Sequence, residues 1–458
     1  MPMSSPTRSG LSRRVFVAGG VIAVVGGAAF ALRRKLVGAV ASKTRLPSFS
    51  ATPPLVPHDP VRDRKSIAVA QGGSPAENVD SALAKLGGIG KFVGEDDLVI
   101  IKVSAQWWNQ GMTNVAAVKR AIEHVLERPG FRGEVVVFEN VHFRLKDGSG
   151  LARAFTHPSV RNVDVPGWSR MGDLGPHFGA LGAPVSLVGL VDAGTSELSD
   201  DDWWDPGHVH GVYGGDGRGP IAPGETRDGY RWDFDRVFRL RRSLVDHAQT
   251  LLTWPVFTSP HSGLVVDLKD GVFRREGGRL VKEPRKLTWI NMTTANEHGS
   301  TGFTGACKSA MGVVDMSAGR LGSDPRVRAY QSTHYFGSPD ASWRMAGPLA
   351  WFAHEVRAPD LYLTVAEWVA ATPPGGEPKD DDLRHSGASA FRKRTVVAGV
   401  DPVAIDSWCV RNLLMPIGGP GKALLDLDDE NSKFVKFLRY YREVHGSGTM
   451  DPSLVDVV

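Results

Sequence analysis

The chain has 458 residues, of which 41% are apolar and 23% charged, as is typical of a globular protein rather than a disordered, fibrous or multi-span membrane protein. Residues 1–46 contain eight basic residues and no acidic one, so the rest of the chain carries 46 basic and 50 acidic residues. The basic charge therefore belongs to the N-terminal segment, and the composition argues against a nucleic-acid-binding surface on the folded part.

The N-terminal segment resembles a twin-arginine export signal. Arg13 and Arg14 directly precede 18 uncharged residues, 15–32, that are rich in Gly and Ala. This pattern predicts that residues 1–41 are recognised by the twin-arginine export machinery, with a periplasmic or other extracytoplasmic location. The alternative is a membrane-spanning helix, because 18 residues reach the lower limit for a span. Cleavage after Ala41 and retention as an anchor both stay open, and in either case we expect membrane contact only through this segment.

The next segments predict a linker followed by an α/β domain. Residues 42–65 contain five prolines and predict an extended linker. In the domain, predicted for 66–446, β-branched runs at 66–70, 98–103 and 134–138 alternate with helical patterns. Such spacing requires crossover connections. We therefore predict an open, largely parallel sheet with helices on both faces.

Residues 141–245 lose this periodicity and are rich in Gly, Pro, Asp and Trp. The span is too long for a simple loop in a compact sheet, so we interpret it as an insertion. Within it, Asp205, His208 and His210 are weak candidates for a metal site, because residues two apart in a strand face the same side. A polar loop is the alternative explanation for these three residues.

The remaining elements follow in order. Residues 263–273 predict a hairpin that turns at Lys269–Gly271. Further strands are predicted at 287–292, 361–365 and 395–400, helices at 401–414 and 430–444, and a C-terminal tail at 447–458.

A glycine-rich motif covers residues 296–312. Its glycines allow a ligand to approach the backbone closely, and a helix beginning near Thr304 would direct free N–H groups toward an anion. Lys308 would then share a helix face with Thr304, and His298 could supply a proton. The motif lacks the residue order of a P-loop or a dinucleotide site. An ordinary strand-to-helix turn with a surface lysine is the alternative.

A second motif covers residues 397–406. Asp401 followed by Pro402 predicts the N-cap and first residue of a helix, which explains Asp401 without a function. Asp406 lies more than one turn into this apolar helix. A buried acid needs a partner, so we expect it to pair with Lys308 or Lys102, or to share a ligand with Lys308.

Together these segments resemble the family called domain of unknown function 362. The resemblance rests on 99–102, 134–140, the spacing of His298, Thr304, Lys308 and Gly312, residues 357–361, and the Asp-Pro-Val-Ala-Ile-Asp string at 401–406. It implies an α/β fold and no settled activity. Many members carry cysteine-rich ferredoxin-like modules. This chain has only Cys307 and Cys409, too few for an iron–sulfur cluster of its own.

We therefore predict an exported protein that binds a small anionic ligand between the two motifs, and we leave open whether it is an enzyme that acts on this ligand. In that case His298 would transfer a proton, while Lys308 and Lys102 would stabilise negative charge. The alternative is a non-catalytic envelope binding protein, or an accessory or maturation factor for an exported redox complex. The cofactor is left unassigned, and no nucleic-acid partner is expected. The candidate catalytic residues are His298, Lys308 and Asp406, and the candidate ligand-binding residues are Lys102, Asn296, Gly302, Thr304, Gly305 and Asp401.

Overall fold

The structure is a computed structural model, and its described residues include the glycine-rich motif at 296–312 and the second motif at 397–406. All described residues lie in one compact unit, Ala51–Val458. No helix among them is long and apolar enough to cross a membrane. The predicted signal and nearly all of the predicted linker lie outside the described residues. The described ranges are 65–105, 111–140, 155, 162–190, 212–213, 220–222, 225–239, 249–315, 341–372 and 389–458.

The described residues form sixteen strands and seven α-helices. The strands are β1 (Lys65–Gln71), β2 (Leu98–Val103), β3 (Glu134–Asn140), β4 (Val185–Leu190), β5 (Val212–Tyr213), β6 (Gly229–Arg239), β7 (Gln249–Thr258), β8 (Val265–Asp267), β9 (Gly271–Glu276), β10 (Arg279–Lys282), β11 (Leu287–Thr293), β12 (Asn296–His298), β13 (Gly302–Thr304), β14 (Leu361–Ala371), β15 (Ser389–Gly399) and β16 (Val455–Val457). The helices are α1 (Pro75–Lys85), α2 (Val115–Leu126), α3 (Leu174–Ala180), α4 (Ala341–Glu355), α5 (Pro402–Cys409), α6 (Lys422–Leu425) and α7 (Lys433–His445).

Short polar side chains begin several of these helices. Asn114 accepts a hydrogen bond from the amide of Ala117 at the start of α2. Asp401 accepts from the amides of Val403 and Ala404 at the start of α5. These bonds satisfy N–H groups that have no partner within the helix. The N-cap predicted at Asp401 is confirmed.

The main sheet has nine strands in the order β16-β1-β15-β14-β11-β2-β3-β4-β5. β15 is antiparallel to both of its neighbours, and the other adjacent pairs are parallel. The prediction of an open, largely parallel sheet is therefore confirmed. Three strands, β15, β14 and β11, separate β1 from β2, although β1 and β2 are consecutive in the chain.

Alternate residues of the central strands face two different cores. In β2, Leu98 and Ile100 belong to a core that includes residues of α4, α5 and α7. Val99 and Ile101 belong to the opposite core, with residues of α1, α2 and α3. This alternation follows from the period of two in a strand. Helices thus cover both faces, as predicted.

A second, antiparallel sheet has the strand order β10-β9-β8-β7-β6. The predicted hairpin is β8 and β9, with Val266 opposite Val272. Tyr230 and Trp254 of this sheet are buried in the same core as α4, α5 and α7. The second sheet therefore packs on one face of the main sheet.

Two predicted segments contribute to the main sheet instead of lying outside it. β4, within the predicted insertion 141–245, pairs in parallel with β3, so this part of the span continues the sheet. Residues 447–458, predicted as a tail, contain β16, which pairs with β1. The amide of Thr449 also donates to the carboxylate of Asp401. Much of 141–245 lies outside the described residues.

Candidate functional site

Residues 305–312, here called the Lys308 turn, lie at the carboxyl end of the central parallel strands. The hydroxyl of Ser309 donates to Asn291 Oδ1, near the end of β11, at 2.7 Å. Gly312 lies directly against the side chain of Lys102, near the end of β2. This edge is the usual position of ligands in open parallel sheets. The turn thus occupies the edge where a ligand site is expected.

The backbone of the Lys308 turn differs from the prediction. Thr304 ends β13, and the chain then forms a turn followed by a short 3₁₀ helix, Ser309–Gly312. The prediction that a helix begins near Thr304 is wrong. The physical reason is that Thr304 pairs with Asn296 in the antiparallel β12–β13 hairpin, so its backbone is extended and does not begin a helix. The amides that follow bind a side chain from another part of the fold.

That side chain is Asp406 of α5. Its Oδ1 accepts from the amide of Ala306 at 2.6 Å, and its Oδ2 accepts from the amide of Cys307 at 2.9 Å. A Cβ at Gly305 would collide with this carboxylate, so the absence of a side chain there permits the contact. Burial raises the pKa of Asp406 to about 7, although both amide bonds favour the charged form. Asp406 therefore occupies the amides that we had predicted to bind an external anion.

The expected direct pair between Lys308 and Asp406 is absent. The amine of Lys308 donates instead to Thr304 Oγ1 at 3.4 Å. Because the Asp406 carboxylate is held by two backbone amides, the prediction of a direct ion pair is wrong. A ligand shared by the two residues stays a prediction.

Lys308 is buried without a counter-ion. It is 7% exposed, and no carboxylate of the described residues lies within 4.0 Å of its amine. Burial lowers the pKa of its ammonium group from 10.5 to about 7. A buried amine with this pKa exchanges protons near neutral pH, which suits both anion binding and proton transfer.

Lys102 is equally buried but has a partner. It is 3% exposed, and its amine lies 3.2 Å from Oε2 of Glu139 at the end of β3. Burial lowers the pKa of Lys102, and the charge of Glu139 opposes that shift. The structure therefore places Lys102 against the Lys308 turn as part of an ion pair.

His298 lies at the end of β12 and is half-buried. Its Nδ1 accepts from the amides of Ser300 and Thr301 at 3.2 and 3.3 Å. In the neutral ring the proton therefore lies on Nε2, because Nδ1 acts as an acceptor. The proton-transfer role predicted for His298 stays a prediction.

Asn296 and Gly302 have structural contacts. The Asn296 amide group donates to Thr294 Oγ1 at 2.6 Å and accepts from the amide of Ala370 at 2.8 Å. Gly302 packs against the start of α7 so closely that a Cβ would lie 2.8 Å from the Cβ of Phe434. These contacts explain both residues without a ligand, and their predicted binding roles stay predictions.

The structure holds no metal cluster in its described part. No group of three or more His, Cys, Asp or Glu residues in that part is arranged to hold a metal ion. Asp205, His208 and His210 lie outside the described residues. Cys307 and Cys409 are both buried, and neither forms a disulfide. Burial raises the pKa of each thiol, and the charge of Asp406 adds to this shift.

Sequence reasoning missed the contact between Asn291 and Ser309. Asn291 is fully buried in β11, between Ile290 and Met292. A polar residue within an otherwise apolar strand is the signal that could have identified it, since such a group needs a hydrogen-bond partner. Its partner, 18 residues later, could not be chosen from the strand pattern alone.

In the comparison with known proteins, a family model matches the segment that contains the two motifs. No curated protein and no solved structure is significantly similar to the chain. Residues 286–411, which span β11, the Lys308 turn, β14, β15 and α5, match the model of the family described as "Domain of unknown function (DUF362)".

Proposed function

We propose that the protein binds a small anionic ligand at the Lys308 turn. The observation that carries this proposal is the buried amine of Lys308, which has only the hydroxyl of Thr304 as a partner among the described residues. A buried cation without a counter-charge is costly. A carboxylate, phosphate or sulfate oxygen from a ligand would supply the missing charge.

The nearby charges support this assignment. Glu139 already neutralises Lys102, and Asp406 is held by the amides of Ala306 and Cys307. Neither carboxylate contacts the Lys308 amine. An anion bound at Lys308 would stabilise the protonated amine and raise its pKa, so anion binding and protonation are coupled.

Sulfate titration by calorimetry tests this function, because sulfate keeps a constant charge across neutral pH. Since only the protonated amine attracts the anion, we expect the affinity to fall by roughly tenfold per pH unit above about pH 7. Below that pH the affinity levels off. Lys308→Met should abolish binding.

Two variants control this experiment. Lys433→Met removes an exposed lysine and should leave sulfate affinity unchanged. Lys308→Arg keeps a cation that does not lose its proton, so any binding it retains should not depend on pH. Equal sulfate binding by wild type and by a folded Lys308→Met variant would refute the proposed site.

We further propose that the protein is exported by the twin-arginine route. The support comes from Arg13 and Arg14, placed directly before the uncharged residues 15–32. The protein would then act outside the cytoplasm, either free after cleavage or anchored by its N-terminal segment.

A further inference from the structure

We infer that Lys308 is a nucleophile and that the ligand of the proposed site is a small anionic carbonyl compound, a 2-oxo acid, which forms an imine with its amine. This inference rests on the proposed ligand site and names the chemical class that the site would take. It adds covalent chemistry to binding at the same residue.

The two buried lysines beside the turn differ in their charged partners. Lys102 and Lys308 are 3% and 7% exposed, yet only Lys102 has a carboxylate at hydrogen-bonding distance. The amine of Lys102 is occupied by Glu139, whose charge opposes the lowering of its pKa by burial. For Lys308 burial lowers the pKa with no charged partner to oppose it, and its chain neighbours Ala306, Cys307 and Met311 belong to the apolar core.

The position of the Lys308 amine is set by the hydroxyl of Thr304. Thr304 Oγ1 accepts from the Lys308 amine at 3.4 Å, and Thr304 is itself held opposite Asn296 in the β12–β13 hairpin. The hydroxyl proton of Thr304 has no acceptor among the described residues, so it is available to a carbonyl oxygen. Asp406 holds the backbone between Thr304 and Lys308, at the amides of Ala306 and Cys307. The amine is therefore fixed next to a proton donor.

The protonation state of Lys308 supports its role as a nucleophile. With a pKa of about 7, roughly half of the Lys308 amines are neutral at pH 7, about a thousandfold more than for a lysine with the ordinary value of 10.5. A lower pKa also makes an amine intrinsically less nucleophilic. The gain in neutral amine exceeds this loss, so a net advantage at neutral pH is expected.

The reaction balances without another reagent. The lone pair of the neutral amine attacks the carbonyl carbon and gives a carbinolamine. The carbonyl oxygen then leaves as water with two hydrogens that come from the amine. A C=N bond replaces the C=O bond, and nothing is oxidised or reduced.

Borohydride trapping tests the inference on the full-length protein at pH 7. The probe is glyoxylate, an aldehyde that carries a carboxylate, and peptide mass mapping locates the resulting carboxymethyl-lysine. We expect Lys308 to be modified at least about tenfold faster than exposed lysines such as Lys433. Excess sulfate should slow modification of Lys308 and leave Lys433 unaffected. Lys308→Arg should lose only the modification at position 308.

Uncharged propionaldehyde separates failure of this inference from failure of the proposed function. If sulfate binds but neither aldehyde modifies Lys308 faster than Lys433, the imine is refuted and the anion site stands. If both aldehydes modify Lys308 equally fast and sulfate has no effect, the anion site is refuted and only the reactive amine stands. Faster labelling by glyoxylate than by propionaldehyde, with protection by sulfate, supports both.

Discussion

Three buried ionisable side chains around the Lys308 turn differ in how their charge is compensated. Lys102 has the carboxylate of Glu139, and Asp406 has the amides of Ala306 and Cys307. Lys308 has only a hydroxyl. Burial shifts all three groups toward their neutral forms, but of these three only Lys308 lacks a charged or amide partner among the described residues, so it is the group best placed to react with a ligand.

Replacement of Asp406 should show its structural role. We expect Asp406→Ala to reduce the free energy of unfolding by about 2–4 kcal/mol at pH 5, because the buried amides of Ala306 and Cys307 lose their acceptor. The pKa of Asp406 is raised from 3.8 to about 7, so between these values the native state holds a proton that the unfolded state has released. The contribution of Asp406 to the free energy of unfolding of the wild-type protein is therefore fully present below pH 3.8 and falls as the pH rises to about 7.

It follows that the cost of Asp406→Ala should be smaller at pH 8 than at pH 5. Urea unfolding at both pH values measures the difference. Asp429→Ala, at an exposed carboxylate, is the matched control and should have a small effect at both. An equally large cost for Asp406→Ala at pH 5 and pH 8 would show that the native pKa of Asp406 is not raised.

At the scale of elements, the Lys308 turn is shaped by its neighbours. The β12–β13 hairpin precedes it, α5 supplies Asp406, and the strand β11 supplies Asn291. The hairpin in turn packs against the start of α7 through Gly302 and Phe303, and the Phe303 and Phe434 rings lie 5.3 Å apart. The position of the hairpin thus depends on a helix more than a hundred residues later.

A pair of glycine variants tests this packing. Gly302 has φ +80°, and an added Cβ would lie 2.7 Å from the carbonyl oxygen of Leu424. We expect Gly302→Ala to lower the free energy of unfolding by about 2–4 kcal/mol, through backbone strain and overpacking. At Gly299 a Cβ would meet no atom within 4 Å, so Gly299→Ala should change stability by less than about 0.5 kcal/mol. Thermal melts of both variants make the comparison. Similar melting temperatures would contradict the close packing at Gly302.

At the scale of the whole molecule, the two sheets meet beside the Lys308 turn. Asn140, at the end of β3, donates to the hydroxyl of Tyr230 in β6 at 2.6 Å and to the carbonyl of Val314 at 2.8 Å. Trp232 of β6 donates to the carboxylate of Asp315 at 2.5 Å. Residues 313–315, which follow the Lys308 turn, are therefore held by both sheets. The second sheet thus positions one end of the candidate site.

The proposed export concerns the molecule as a whole, because the twin-arginine route carries folded proteins. We expect replacement of both Arg13 and Arg14 by Lys to leave the protein in the cytoplasm, since the route reads the arginine pair rather than its charge. Fractionation of cells followed by immunoblotting measures the distribution. Replacement of Arg33 and Arg34 by Lys is the control and should permit export. Normal export of the Arg13/Arg14 variant would rule out this route.

Much of the fold could be predicted because its signals are local. Unbroken apolar runs predicted β2 and β3, the turn at Lys269–Gly271 predicted the β8–β9 hairpin, and Asp401 followed by Pro402 predicted the start of α5. Each signal depends on residues close in the chain, where periodicity and capping act. The class of fold followed from their alternation.

The arrangement of the candidate site depends on contacts that no local pattern specifies. Sequence reasoning identified Lys308 and Asp406 but paired them, whereas Asp406 binds amides 100 and 99 residues earlier in the chain. The spacing of Thr304 and Lys308 was compatible with a helix, but the pairing of Thr304 with Asn296 in the β12–β13 hairpin keeps the backbone extended there. The residue types and their order thus indicate which polar groups need partners. The partner of each group is set by the packing of remote elements, because burial and distance arise only when those elements come together.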